Sequence, residues 1–248
     1  MLKEIVIAIQ AWSEAHQFIV KHKLWKWIII PGIIYTLLFV LSMYFFGKSA
    51  TAVIEYLTEV THLNDWLQKF ENSFLGFLFT FAGIILWLTL MFFYFSFFKY
   101  IWLIIGSPLF AYLSEKTESI IEGKDHSFAW NDIWRDAGRG IRLALRNCVW
   151  QTGYLVGLII LSLVPVVGWI TPVMAMFMEC YYYGFSMLDY SFARNGFTLR
   201  QSIHFTGRHK GLAVGNGVLF YLMHAVIVFA PAYAIIAATL SVHKVKNS

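Results

Sequence analysis

Between Arg146 and Asp189 the chain carries one charged residue, Glu179, and midway through that stretch it has to bend. The segment Leu161-Ser162-Leu163-Val164-Pro165-Val166-Val167-Gly168-Trp169-Ile170-Thr171-Pro172 holds two prolines and a glycine. Proline removes a backbone donor and clashes with the preceding turn, so a helix is bent or broken here. Turns in water are normally built from polar residues, yet this one has no Lys, Arg, Asp, Glu, Asn or Gln. An apolar turn between two apolar arms, roughly Val149 to Val164 and Val173 to Leu188, fits a tip held at membrane depth. Lipid offers no hydrogen bonds, so bent backbone at that depth must be enclosed by protein or line a wet cavity. The expectation is a re-entrant helical hairpin with its tip at Pro165, Gly168 and Pro172.

Composition agrees with a bilayer as the solvent. Only 13% of the residues are charged and 59% are apolar, against about 25% charged in soluble domains. No hydrophilic stretch is long enough for a second globular domain, so residues 1–248 read as one polytopic membrane domain. The net charge of +5 then reports orientation rather than nucleic-acid binding. Cys148 and Cys180 lie in or beside apolar segments and form no C-x-x-C, which fits small buried residues. Ile5 to Ile9 is too short for the core of a signal peptide, and Trp12, Glu14 and His16 follow it.

Along the chain, Ile5, Ile9, Trp12 and Ile19 recur at helical spacing over residues 3–20, which predicts an amphipathic helix on the membrane surface. A basic cluster follows, Lys21, Lys23 and Lys26 with His22, Trp25 and Trp27. Trp27 to Phe46 is uncharged; twenty residues at 1.5 Å each span about 30 Å, the hydrocarbon thickness. This is the first predicted transmembrane helix, with Pro31 near its start. Lys48 to Asn72 is polar, with amphipathic helical pieces. Ser73 to Phe98 is the second predicted span, ended by Lys99. Gly106-Ser107-Pro108 breaks the next apolar helix, and Leu109 to Glu122 reads as helical, closed by Gly123.

Residues 127–148 form the clearest amphipathic pattern, with Trp130, Ile133, Trp134, Ala137, Ile141, Leu145 and Cys148 on one face. Arg135, Arg139, Arg142 and Arg146 form a basic stripe opposite. It either meets anionic headgroups at the interface or collects anions at a pore mouth. Gly211 to Val242 is the last uncharged run. It has 32 residues interrupted by Pro231, too few for two full crossings, and reads as one long crossing or a second re-entrant hairpin. The fold class expected is therefore all-α, with two long transmembrane helices, two re-entrant hairpins and amphipathic interfacial helices.

If residues 47–72 lie outside and the other basic segments inside, Lys and Arg divide 17 against 2. That positive-inside bias puts both termini in the cytoplasm. No catalytic constellation is present: there is no G-x-S-x-G, H-E-x-x-H or Walker A sequence. His204 and His209 are five apart and off one helical face, which argues against a metal site. No cofactor is expected. Glu179 and His224 are the ionisable residues inside the hairpins, and intramembrane ionisable groups are functional suspects by default. At the start of the first span, Lys21, Lys23 and Lys26 oppose the helix dipole. They serve either topological sorting or the binding of a small oxyanion.

The chain resembles the CysZ-type sulfate transporters and the wider etoposide-induced 2.4 membrane family. The matching pieces are Leu24-Trp25-Lys26-Trp27 with Pro31, Asp65-Trp66-Leu67-Gln68, Ser107-Pro108 followed by Glu115 and Glu118, Pro165 to Gly168 with Pro172, Leu188-Asp189-Tyr190, and Ala230-Pro231 with Ala237-Ala238-Thr239. The resemblance implies two long transmembrane helices, two hemi-penetrating hairpins, a homo-oligomer and sulfate uptake across the bacterial inner membrane for cysteine synthesis. It also implies sulfate binding by the arginines of a Gly-Leu-Arg-Arg-like run before the first span. Here that run is Lys23-Leu24-Trp25-Lys26, so Trp25 and Lys26 stand at the arginine positions, and lysine lacks the bidentate fork. Glu179 falls where the family usually has a small residue. The expected function is a permease for sulfate or a similar small anion, not driven by ATP, with Lys26 and Trp25 beside Lys23 and Lys21 at the anion site and membrane lipids around it. The alternative is a membrane scaffold or assembly protein without transport activity.

Overall fold

The computed structural model describes residues 1–60, 74–123, 130–162, 164, 167–223, 226 and 228–246. These form α1 (Leu2–Lys21), α2 (Lys26–Val60), α3 (Phe74–Ile105), α4 (Ser107–Glu122), α5 (Trp130–Ser162), a 3-10 turn (Val167–Ile170), α6 (Thr171–Arg194), α7 (Leu199–Arg208), α8 (Lys210–Met223) and α9 (Ala230–Lys246). No strand occurs among the described residues. Two helices there are long and apolar enough to cross a membrane, Lys26–Val53 and Asn131–Ser162.

Several boundaries differ from the expectation. The first predicted span does not stop at Phe46; α2, 35 residues in all, continues to Val60. Neither Gly47 nor Lys48 stops it, because a polar residue on an exposed turn breaks no backbone hydrogen bond. Lys99 does not end the second span either, since α3 runs on to Ile105. The break falls at Gly106, where the axis turns by 68°. Pro108 then occupies the first turn of α4, where a missing N–H is no loss. The amphipathic segment expected over 127–148 is helical from Trp130 on, residues 127–129 lying outside the described residues, and it runs on into the first hairpin arm as one helix, α5.

The chain divides into two compact units. The first comprises Met1–Leu37, Lys99–Cys148 and Glu179–Ser248. Its centre is a layer of small side chains: Ala8, Ala11 and Ala15 of α1 and Ala234, Ala237 and Ala238 of α9 are fully or almost fully buried. Small residues let backbones approach closely where dispersion rather than water exclusion drives association. The α8 helix meets α6 in the same way: a Cβ added at Gly217 would overlap the carbonyl of Cys180, and one at Gly184 that of Ala213. Polar clasps run through this packing. Trp12 Nε1 donates to Asn216 Oδ1 at 3.1 Å, Asn216 Nδ2 to Ser241 at 3.3 Å, and Ser114 meets Thr239 at 3.2 Å. On α1 the buried stripe is Ala8, Ala11, Trp12, Ala15 and Ile19; Ile9, expected on it, is exposed.

The last apolar run is a hairpin rather than one long crossing. Its 14-residue α8 and 17-residue α9 pack on each other and both pack on α1. At 1.5 Å per residue these arms reach about 21 and 26 Å, short of the roughly 30 Å core.

The second unit comprises Leu38–Phe98 and Val149–Met178. Phe46 lies 5.8 Å from Trp87 and 5.1 Å from Tyr94, ring centre to ring centre. Leu155 and Leu158 of one hairpin arm are buried with Ala175 of the other. The turn closes through Gly168, whose N–H donates to Val164 O at 2.8 Å; an added Cβ there would lie 2.6 Å from Ser162 O. Pro172 sits in the first turn of α6; Pro165 lies outside the described residues. Outward, Val40, Leu41, Tyr44, Phe45, Phe77, Val149, Trp150 and Ile160 are exposed. An apolar surface of that extent calls for lipid or protein against it.

Candidate functional site

Helix α1 ends in a Schellman arrangement. Lys23 N–H donates to Val20 O at 3.3 Å and Leu24 N–H to Ile19 O at 3.1 Å, while the side chains of Ile19 and Leu24 are buried. The motif requires a left-handed residue, and Lys23 provides it at φ 53°. This reversal presents Lys21, Lys23 and Lys26 to the exterior, and among the described residues none of the three has an ion-pair partner.

The half-buried Trp25 is turned against Phe229, edge to face, with centroids 6.0 Å apart. About two turns further on, Gly32 leaves no room for a Cβ, which would overlap the carbonyl of Val228. The start of α2 thus lies against the tip of the second hairpin, where Pro231 occupies the first turn of α9 and is buried. Two groups of residues singled out separately in the sequence, about 200 positions apart, meet here. Lys116 adds a further cation, 5.4 Å from the Trp27 ring centre.

The basic stripe on α5 is not uniformly presented. Arg135 is exposed and paired with Asp132 at 3.1 Å. Arg139 turns inward: its Nη2 lies 2.8 Å from Asp189 Oδ1 and its Nε 3.1 Å from Oδ2. It also donates to Ser202 Oγ at 2.7 Å and to the Phe197 carbonyl. That is a bidentate clamp joining α5, α6 and α7. Arg146 donates to Asn147, while Arg142 is exposed and unpaired among the described residues. Arg135, Arg139 and Arg142 line a groove of about 420 Å³ with Trp134 and Leu199. Of the apolar face expected on α5, Ile133 and Ala137 are buried but Trp134 and Leu145 are exposed.

Glu179 is buried and paired. Lys99 Nζ lies 2.8 Å from its Oε2, and Tyr221 donates to the same oxygen at 2.9 Å. The triad ties α3, α6 and α8. His224 lies outside the described residues. Lys99 was missed as the partner because it stands next to a span end, where a lone lysine normally marks the interface. The available signal was reciprocal: one cation and one anion, each isolated in an uncharged run, need each other to be buried. A second buried ion network was also missed, in which Arg194 Nη2 lies 2.7 Å from Asp136 and 3.1 Å from Glu115. No cluster of three or more His, Cys, Asp or Glu able to hold a metal occurs among the described residues.

These features define a membrane protein that is helical throughout its described residues, with a proline in the first turn of the returning helix of each pair. The chain belongs to the Sulfate transporter CysZ/Etoposide-induced protein 2.4 family, whose model matches residues 11–237. The Sulfate transporter CysZ of Pseudomonas fluorescens is 26% identical to it over 143 residues, 55% of this chain and 57% of that protein. The matched region thus spans little more than half of that relative's length.

Proposed function

We propose that the chain is a permease for sulfate or a similar small anion, not driven by ATP, in the bacterial inner membrane with both termini cytoplasmic. Membership of a sulfate-transporter family supports this reading and a non-enzymatic role. The observation that carries it is the cluster of exposed lysines, Lys21, Lys23 and Lys26, unpaired among the described residues, at the start of a membrane-length helix and against the tip of the second hairpin. Lysines there attract an oxyanion. The second hairpin, whose arms are short of the hydrocarbon thickness, borders its route. A homo-oligomer surrounded by lipid covers the exposed apolar surface.

One observation favours the alternative, a scaffold that transports nothing. Trp25, at a position where the resemblance expects an arginine, is packed on Phe229 instead of facing an anion. Equilibrium binding of labelled sulfate to the detergent-solubilised chain separates the two. We predict that Lys26→Ala weakens sulfate affinity about tenfold, while Lys26→Arg, restoring a planar fork, strengthens it. Identical affinities in all three proteins would return the lysines to topological sorting.

A further inference from the structure

We propose that the exposed groove on α7 is a binding site for the phosphate headgroup of an anionic phospholipid, separate from the lysine cluster before α2. The helix is only ten residues long, about 15 Å at 1.5 Å per residue, so it does not cross a bilayer. Its start is fixed by a capping box in which Thr198 and Gln201 exchange hydrogen bonds. Its inner face is held by the buried Ser202 and Thr206. Its outer face carries Arg200, His204 and Arg208 at spacings of four, all exposed. With Phe197, Gln201, Phe205 and His209 they line a groove of about 580 Å³.

Charge complementarity decides the occupant. From Tyr190 to Ser248 the chain has no Asp or Glu. The nearby carboxylates already have partners: Glu4, at the edge of the groove, accepts from the Gly211 N–H at 3.0 Å and meets the lining His209 Nδ1 at 2.9 Å, and Asp189 is held by Arg139. Arg200, His204 and Arg208 have no ion-pair partner among the described residues. The floor is aromatic, with Phe205 stacked on His209 at 4.3 Å and edge-on to Phe197 at 5.8 Å. A bare oxyanion would fill little of this space and gain nothing from the two phenyl rings. A glycerophospholipid offers both parts: a phosphate for the guanidinium groups and a glycerol and acyl portion for the rings.

Native mass spectrometry of the full chain in detergent, with phosphatidylglycerol, phosphatidylcholine or inorganic phosphate added separately, tests this. The site retains phosphatidylglycerol over phosphatidylcholine, and Arg200→Gln with Arg208→Gln lowers that retention about tenfold or more. Lys48→Gln leaves it unchanged, and circular dichroism shows all variants equally helical. Retention of phosphatidylglycerol unaffected by the α7 double substitution would overturn the proposal. So would inorganic phosphate binding that is lost in the same variant and displaces the lipid, because the groove would then be a site for a free anion.

Discussion

At the scale of single residues, Lys23 and the Lys99–Glu179 pair carry the most information. An L-residue in the left-handed region costs roughly 1–2 kcal/mol that glycine does not incur, and glycine loses part of that advantage through its freer unfolded chain. Lys23→Gly is therefore expected to raise stability by about 0.5 kcal/mol, seen as a higher midpoint of thermal unfolding in detergent. A lower midpoint would show that the lysine side chain holds the turn. For the buried pair, removing one partner strands a charge, at a cost of about 3–5 kcal/mol, whereas replacing both with apolar groups is often neutral. Glu179→Leu alone should lose most folded protein, and adding Lys99→Leu should recover it. A double variant as unstable as the single one would mean that Tyr221 or other neighbours, not charge balance, govern the site.

At the scale of elements, helices follow from long uncharged runs, and their breaks from glycine followed by proline were legible in the sequence, whereas Pro31 alone leaves α2 unbroken. The break at Gly106-Ser107-Pro108 and the turn at Gly168 fall where backbone chemistry requires them. Helix ends without such a breaker were not legible: α2 passes Phe46 and α3 passes Lys99 because charge alone does not terminate a helix. The inward turn of Arg139 was hidden for a different reason. Arg135, Arg139, Arg142 and Arg146 are equivalent on a helical wheel, and only the approach of Asp189 and Ser202 from α6 and α7 distinguishes one of them. The lysine cluster was visible, but its neighbours Phe229 and Val228 depend on tertiary packing. The re-entrant reading of the first hairpin is tested at its turn. With Cys148 and Cys180 replaced by alanine, Trp169→Cys should resist an impermeant thiol reagent added to the outer face of right-side-out vesicles. Rapid labelling from that face would indicate a full crossing.

At the scale of the whole molecule, three features stand together: the basic residues gathered on one proposed side, exposed apolar surface, and a second helix pair too short to cross. Under the proposed function they belong to a membrane body that admits something small and charged. Family membership points the same way. The departures from the expected anion site, Trp25 and Lys26 where arginines are implied, concern which anion and how tightly, and they leave the helix order intact. The most direct test is uptake of radiolabelled sulfate into proteoliposomes of the purified chain, with an imposed sulfate gradient and no ATP. The account predicts accumulation above empty vesicles, reduced severalfold by Lys26→Ala; uptake equal to empty vesicles across a range of pH would contradict it.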